Sequence, residues 1–191
     1  MISVSDKSGL DQVAAFLVKY NVTILSTGGT AKFLRAIPGA NVIDVSEATG
    51  FPEIQDGRVK TLHPKIHGAL LGVRGNPKHE DEMKTHGIEP IDLVIVNLYP
   101  FEKTVTSGSD FALCVENIDI GGPSMIRSSA KNHSAVAVVT GVEQYSELIS
   151  HLEGNRCGTS LSFRRKLAAA AFEKTAKYDT EIAAFFARET R

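Results

Sequence analysis

Val22-Thr23-Ile24-Leu25-Ser26-Thr27-Gly28-Gly29-Thr30 decides the fold. Its first four residues are β-branched or aliphatic and predict a strand. Ser26 to Thr30 closes that strand, and Ala31 to Ala36 predicts a short helix that stops before Pro38. A strand that runs through a Gly/Ser/Thr loop into a helix N-terminus points unpaired backbone N–H groups at an anion. Gly28-Gly29 also fits a tight turn that only glycine tolerates. The spacing is neither that of a Walker loop nor that of the dinucleotide fingerprint.

The same order recurs on both sides of this stretch. Upstream, Ile2 to Val4 predicts a strand and Ser5-Asp6-Lys7 its loop. Ser8-Gly9-Leu10-Asp11 has a capping-box pattern, and Leu10, Val13, Ala14, Leu17 and Tyr20 follow at helical spacing. Downstream, Val42 to Val45 predicts a third strand. Ile91 to Val96 is the most apolar strand and ends in Asn97-Leu98-Tyr99-Pro100-Phe101. Pro123, just after Ile118-Asp119-Ile120-Gly121-Gly122, suits a first helical position. Ala135 to Val139 predicts a buried strand, and Thr140 to Glu143 a second capping box before a helix carrying Tyr145, Leu148, Ile149 and Leu152. Alternating strands and helices, with continuously apolar strands, predict an α/β domain with a mostly parallel sheet and helices on both faces. Ligands of such folds bind at the C-terminal strand ends, where these motifs fall.

Two regions depart from the alternation. Ser46 to Pro64 has little periodicity but carries Arg58, Lys60 and His63, so it is expected to be a functional loop. From Ser160 the pattern is helical only, with Phe163, Leu167, Ala170, Ala171 and Lys174 on one face, then Tyr178, Ile182, Phe185 and Phe186. The division expected is a core over 1–155 and a helical extension over 156–191. Phe185-Phe186 calls for a covering surface from a partner subunit or a further domain.

Composition narrows the classes. The 191 residues are 42% hydrophobic, enough for a normal core. A net charge of −1 gives no general attraction to nucleic acid or an anionic membrane. Two cysteines argue against a disulfide scaffold and for a reducing cytosol. No apolar run is long enough to span a bilayer, and the start of the chain is polar by Ser5, unlike a signal peptide.

The site candidates are residues of anion binding and proton transfer. Lys7 at a helix start is electrostatically poor unless an anion sits there. Arg58 and Lys60, two apart, share a side of an extended segment; they suit an anion, or form an ordinary surface pair. Asp119 lies between two isoleucines and needs a partner if buried; Lys131 is a candidate, in a site or in a structural ion pair. His63 and His67 are four apart, but Pro64 and the absence of a third ligand argue against a metal. Cys114 reads as a core thiol.

Taken together, Ser3-Val4-Ser5-Asp6-Lys7, Ser26 to Ala31, Asp44 to Glu53, Gly57-Arg58-Val59-Lys60-Thr61-Leu62-His63-Pro64, Asn97 to Phe101, Ile118 to Gly122 and Ala130-Lys131-Asn132-His133 resemble one family. It is the IMP cyclohydrolase domain of the bifunctional purine-biosynthesis enzyme AICAR transformylase/IMP cyclohydrolase. The resemblance runs from residue 2 to about 190. It implies a methylglyoxal-synthase-like α/β fold, a cytosolic homodimer, and closure of FAICAR to IMP with loss of water. It implies Lys131 as proton donor and acceptor, Lys60 and Tyr99 at the developing oxyanion, and Asp119 orienting the reacting groups or accepting a proton. Ser5, Asp6, Lys7, Thr27, Gly28, Gly29 and Thr30 would hold the ribose phosphate and nearby groups. Arg58, Val59, Thr61, Val96, Asn97, Ile120, Gly121 and Gly122 would line the rest. No metal or cofactor is implied for this step. The family's 10-formyl-tetrahydrofolate serves a transformylase domain expected beyond Arg191. A methylglyoxal synthase and a nucleotide-binding regulatory domain are the rival readings; Lys60, Tyr99 and Lys131 speak against the first.

Overall fold

The computed structural model describes residues 1–189. Five strands, β1 (Ile2–Val4), β2 (Ile24–Ser26), β3 (Val42–Asp44), β4 (Leu93–Asn97) and β5 (Ala137–Val139), form one sheet in the order β3-β2-β1-β4-β5. Every pairing is parallel, with Ile2 opposite Ile95 and Ser26, Ile24 opposite Val42, and Leu93 opposite Ala137. The helices are α1 (Leu10–Lys19), α2 (Gly28–Arg35), α3 (Val45–Thr49), α4 (Pro64–Leu71), α5 (Pro77–Thr85), α6 (Phe101–Thr106), α7 (Phe111–Glu116), α8 (Gly121–Lys131), α9 (Tyr145–Gly154) and α10 (Leu161–Glu189). Successive strand residues face opposite sides. Val94, Ile95 and Val96 are all buried, as are Ala137, Val138 and Val139, so both faces of the sheet are covered. The expected α/β fold is borne out.

The elements shift by a few residues from the sequence reading, for local reasons. Val45 opens α3 rather than ending β3, because the Asp44 carboxylate accepts the Ser46 N–H at 3.0 Å and caps a helix. The capping box at Ser8 does not form. Gly9, at φ 68°, takes the N-cap position, and the Ser8 hydroxyl donates to Asp6 at 2.7 Å instead. After β5 the Gln144 side chain, not Glu143, accepts the N–H groups of Thr140 and Gly141 at 2.7 and 3.2 Å. α8 begins at Gly121, so Pro123 is its third residue, still in the first turn, where a missing N–H costs nothing.

The segment Ser46 to Pro64 is more ordered than its composition predicts. After α3, Ile54 and Val59 form an antiparallel bridge around a tight turn. Gln55, Asp56 and Gly57 turn through positive φ values of 54°, 53° and 93°. The turn leaves Arg58 and Lys60 flanking Val59.

α10 packs on α8 and β5. Its buried stripe is Phe163, Leu167, Ala168, Ala171, Thr175, Tyr178 and Phe185, a helical period. Lys174 is exposed; Thr175 takes its place on the stripe. Phe186 keeps 38% of its surface exposed, whereas Phe185 finds its cover within the chain. It stacks on Phe111 at 5.4 Å and meets Phe101 edge-on at 5.5 Å. Arg164 fastens the start of the helix by donating to the carbonyls of His133 and Ser134 at 2.9 and 2.7 Å.

Candidate functional site

The strand order reverses direction between β1 and β4, and the loops leaving their C-terminal ends diverge to open a cleft there. Asn97, last residue of β4, joins the two. Its Oδ1 accepts the backbone N–H groups of Ser5 and Asp6 at 2.7 and 3.1 Å, and its Nδ2 donates to the Asp6 carbonyl at 2.8 Å. Thr30 ties α2 to β1 in the same way. Its hydroxyl accepts the Val4 N–H at 3.1 Å and donates to the Val4 carbonyl at 3.0 Å. Both residues shape the cleft with their polar atoms largely committed to backbone.

Two helix N-termini open onto this cleft. α2 starts at Gly28 with no side-chain cap from Thr27, which leaves its first amides to the cleft. Gly28 has φ 47°, and a Cβ there would lie 3.5 Å from the Lys60 Nζ. Lys60 is ion-paired with Glu53 across the tight turn. Arg58 pairs with Glu116 of α7 at the cleft rim, and that bond holds the Glu116 carboxyl below its ordinary range. Both partners are exposed, so the pair is a weak tether.

At the second N-terminus, Asp119 precedes α8. Its Oδ1 accepts the Gly122 N–H at 2.8 Å, and its carboxylate also accepts the Tyr99 N–H. Burial nevertheless pushes its pKa up, because desolvation of the charge outweighs the two N–H bonds. The Asp119 backbone N–H is taken by the Tyr178 hydroxyl of α10, at 2.8 Å. The glycines here are required by close approach. A Cβ on Gly121 would come within 2.7 Å of the Thr61 hydroxyl, and one on Gly122 within 2.5 Å of Asp119.

The cleft holds about 930 Å³. Of the sequence-derived candidates, it is lined by Ser5 and Lys7 from the first loop, Thr27 to Thr30 from the second, and Arg58, Lys60 and Thr61 from the turn segment. Val96, Asn97 and Tyr99 come from the end of β4, and Asp119 to Gly122 from the start of α8.

Three candidates lie elsewhere. Asp6 turns its carboxylate onto Ser8, whose hydroxyl holds it below the ordinary range. Val59 is spent on the bridge to Ile54. Lys131 is exposed at the far end of α8, about 15 Å along the axis from Gly121 at 1.5 Å per residue. It does not partner Asp119, whose contacts are backbone N–H groups. Within Ala130-Lys131-Asn132-His133, Asn132 joins two helices. Its buried amide donates to the carbonyls of Leu70 and Gly72 at 2.8 and 3.0 Å and ties α8 to the end of α4.

His63 and His67 also have other duties. His63 caps α4 by accepting the Lys65 N–H at 3.1 Å, and His67 Nδ1 meets the Ser128 hydroxyl at 3.0 Å. Among the residues that the sequence did not single out for the site are Glu53, Glu116 and Tyr178, each bonded to a residue that lines it. Glu53 lay inside a quoted motif, and nothing in its spacing named Lys60 as its partner. Glu116 and Tyr178 meet their partners across 58 and 59 residues of chain.

A parallel sheet with a cleft at its switch point, where two helix N-termini open, defines the domain as α/β with its candidate site at the C-terminal strand ends. The chain belongs to the MGS-like domain family, which matches residues 9–124, and the AICARFT/IMPCHase bienzyme family matches residues 129–191. It is 56% identical over 189 residues to the bifunctional purine biosynthesis protein PurH of Bradyrhizobium diazoefficiens, covering 99% of this chain and 36% of that protein. It is 58% identical over 187 residues to PurH of Mesorhizobium japonicum, covering 98% of this chain and 35% of that protein. The chain therefore spans about a third of the length of these curated relatives. The crystal structure of ForH superposes with a TM-score of 0.82 at 31% identity, over 97% of this chain and 98% of that one. No helix among the described residues is long and apolar enough to cross a membrane.

Proposed function

We propose that this domain is an IMP cyclohydrolase that closes FAICAR to IMP, the last step of purine-ring assembly. The observation that carries the reading is the meeting of Lys60, Tyr99 and Asp119 with two helix N-termini in one cleft. The similarity to PurH along nearly the whole chain supports it.

The carboxamide nitrogen of FAICAR attacks the formyl carbon of the same molecule. A C–N bond forms, the carboxamide nitrogen and the formamide nitrogen each give up one proton, and the former formyl oxygen leaves with them as water. The reaction is intramolecular, so holding both groups in attack geometry is a large part of the catalysis. In this reading the amides at the start of α2, with Lys7, hold the ribose phosphate. Lys60 stabilises charge developing on the formyl oxygen, with Tyr99 beside it. Asp119 accepts the carboxamide proton. A carboxyl pushed up by burial is a better base than an exposed one. Lys131 is given no step in the cleft of its own chain. The reading uses no metal and no folate. A homodimer in the cytosol goes with this assignment.

The test is an absorbance assay of purine-ring formation from FAICAR by the purified, dialysed chain. Turnover without metal, ATP or folate is the expected result. A folded chain that binds IMP without turnover would point to a regulatory domain. Release of methylglyoxal from a triose phosphate would point to a lyase, the rival that shares the fold and the phosphate loop.

A further inference from the structure

We propose that Tyr178 of α10 is a positioning residue for the ring-closing step: its hydroxyl holds the backbone of Asp119 so that the carboxylate faces the substrate. The inference rests on the cyclohydrolase reading above. Asp119 lies in the short segment between α7 and α8, outside regular structure. Its carboxylate is aimed by two backbone donors, Gly122 and Tyr99. Its own N–H goes to the Tyr178 hydroxyl at 2.8 Å, in a part-buried position. An N–H left without a partner there costs free energy, and the segment would move to recover one.

Tyr178 braces the opposite wall as well. Only 5% of its surface is exposed, and its ring meets Phe101 edge-on at 6.3 Å. Phe101 donates its N–H to the Tyr99 carbonyl at 2.8 Å. One side chain thus fixes the residue that aims the Asp119 carboxylate and, through its hydroxyl, the backbone that carries it. The device also comes from outside the MGS-like part of the chain. That family matches residues 9–124, and α10 begins at Leu161. Asp119 belongs to the shared sheet domain, and its anchor to the terminal helix that packs over it.

Tyr178→Phe in the full chain keeps the ring against Phe101 and removes only the hydroxyl. We expect kcat for FAICAR closure to fall roughly tenfold, the effect of one lost hydrogen bond. KM should change by less than about twofold. The Asp119 amide should exchange faster with solvent, while amides in the later turns of α8 keep their protection. A kcat within about twofold of the parent would overturn the proposal. Faster exchange throughout α8 and α10, with kcat falling only in step with melting temperature, would overturn it too, because that pattern marks a folding role. If the parent chain closes no FAICAR, the cyclohydrolase reading fails and the proposal falls with it. Parent turnover with an unaltered variant sinks the Tyr178 proposal alone.

Discussion

The side-chain oxygen of Asn97 lies 2.7 Å from the backbone nitrogen of Ser5, 92 residues away in the chain. This bond joins the ends of β4 and β1 at the point where the strand order reverses. The first loop therefore owes its shape to a neighbouring strand. Asn97 also holds both polar groups of the Asp6 backbone.

Asn97→Leu keeps the volume and removes all three bonds. Each is worth about 1 kcal/mol net, so stability should fall by about 1–3 kcal/mol, since the site is partly exposed. Urea unfolding measures that loss. IMP affinity by calorimetry should fall roughly tenfold or more, because the first loop would lose its fixed shape. Unchanged affinity would show that the loop holds itself.

Thr30→Val replaces the hydroxyl that both donates to and accepts from Val4. The shape is kept, and two buried backbone groups lose their partner. We expect about 1–3 kcal/mol of destabilisation by chemical unfolding, with α2 fraying from the sheet. A loss below about 0.5 kcal/mol would mean that water replaces the hydroxyl.

Lys60→Met keeps an unbranched side chain near Gly28 and removes the charge. If Lys60 stabilises the oxyanion, kcat should fall roughly a hundredfold or more. Stability should change little, because the Glu53 ion pair is partly exposed. A change in KM alone would move Lys60 to ground-state binding.

Asp119 is an acid whose folded pKa is raised by burial above its ordinary 3.8. Above that value the folded chain holds a proton that the unfolded chain has released. Stability is therefore lost as pH rises through the folded pKa, and stays lost above it. Asp119→Asn retains an oxygen for the Gly122 N–H and carries no charge. It should melt higher than the parent at pH 8, with the difference shrinking toward pH 4, while turnover falls by about a hundredfold or more. A variant less stable than the parent at pH 8 would show that the carboxylate's hydrogen bonds outweigh its burial.

The class of fold was legible because it depends on period and punctuation. Apolar runs such as Ile91 to Val96, and the glycines after β2, are written locally. So is most of the buried stripe of α10, although Ala168 and Thr175 take the places read for Ala170 and Lys174, Ile182 is only partly buried and Phe186 is exposed. Boundaries were less legible. Whether Val45 ends a strand or opens a helix turns on the Asp44 side chain bonding to Ser46, a choice that propensity does not settle.

The sequence by itself determined the alternation of strands and helices, the loops at the strand ends, and the family whose motifs those loops carry. Tertiary structure alone decided which residues share the cleft. Lys131 and Asp119 stand close in the chain, yet a helix of 1.5 Å per residue carries one end away from the other. Tyr178 and Asp119 are separated by 59 residues, yet packing of α10 over the sheet domain brings hydroxyl to amide. Distance along a chain sets the period and the caps of each element. Burial of apolar faces sets which elements meet, and with them the partners of each polar group.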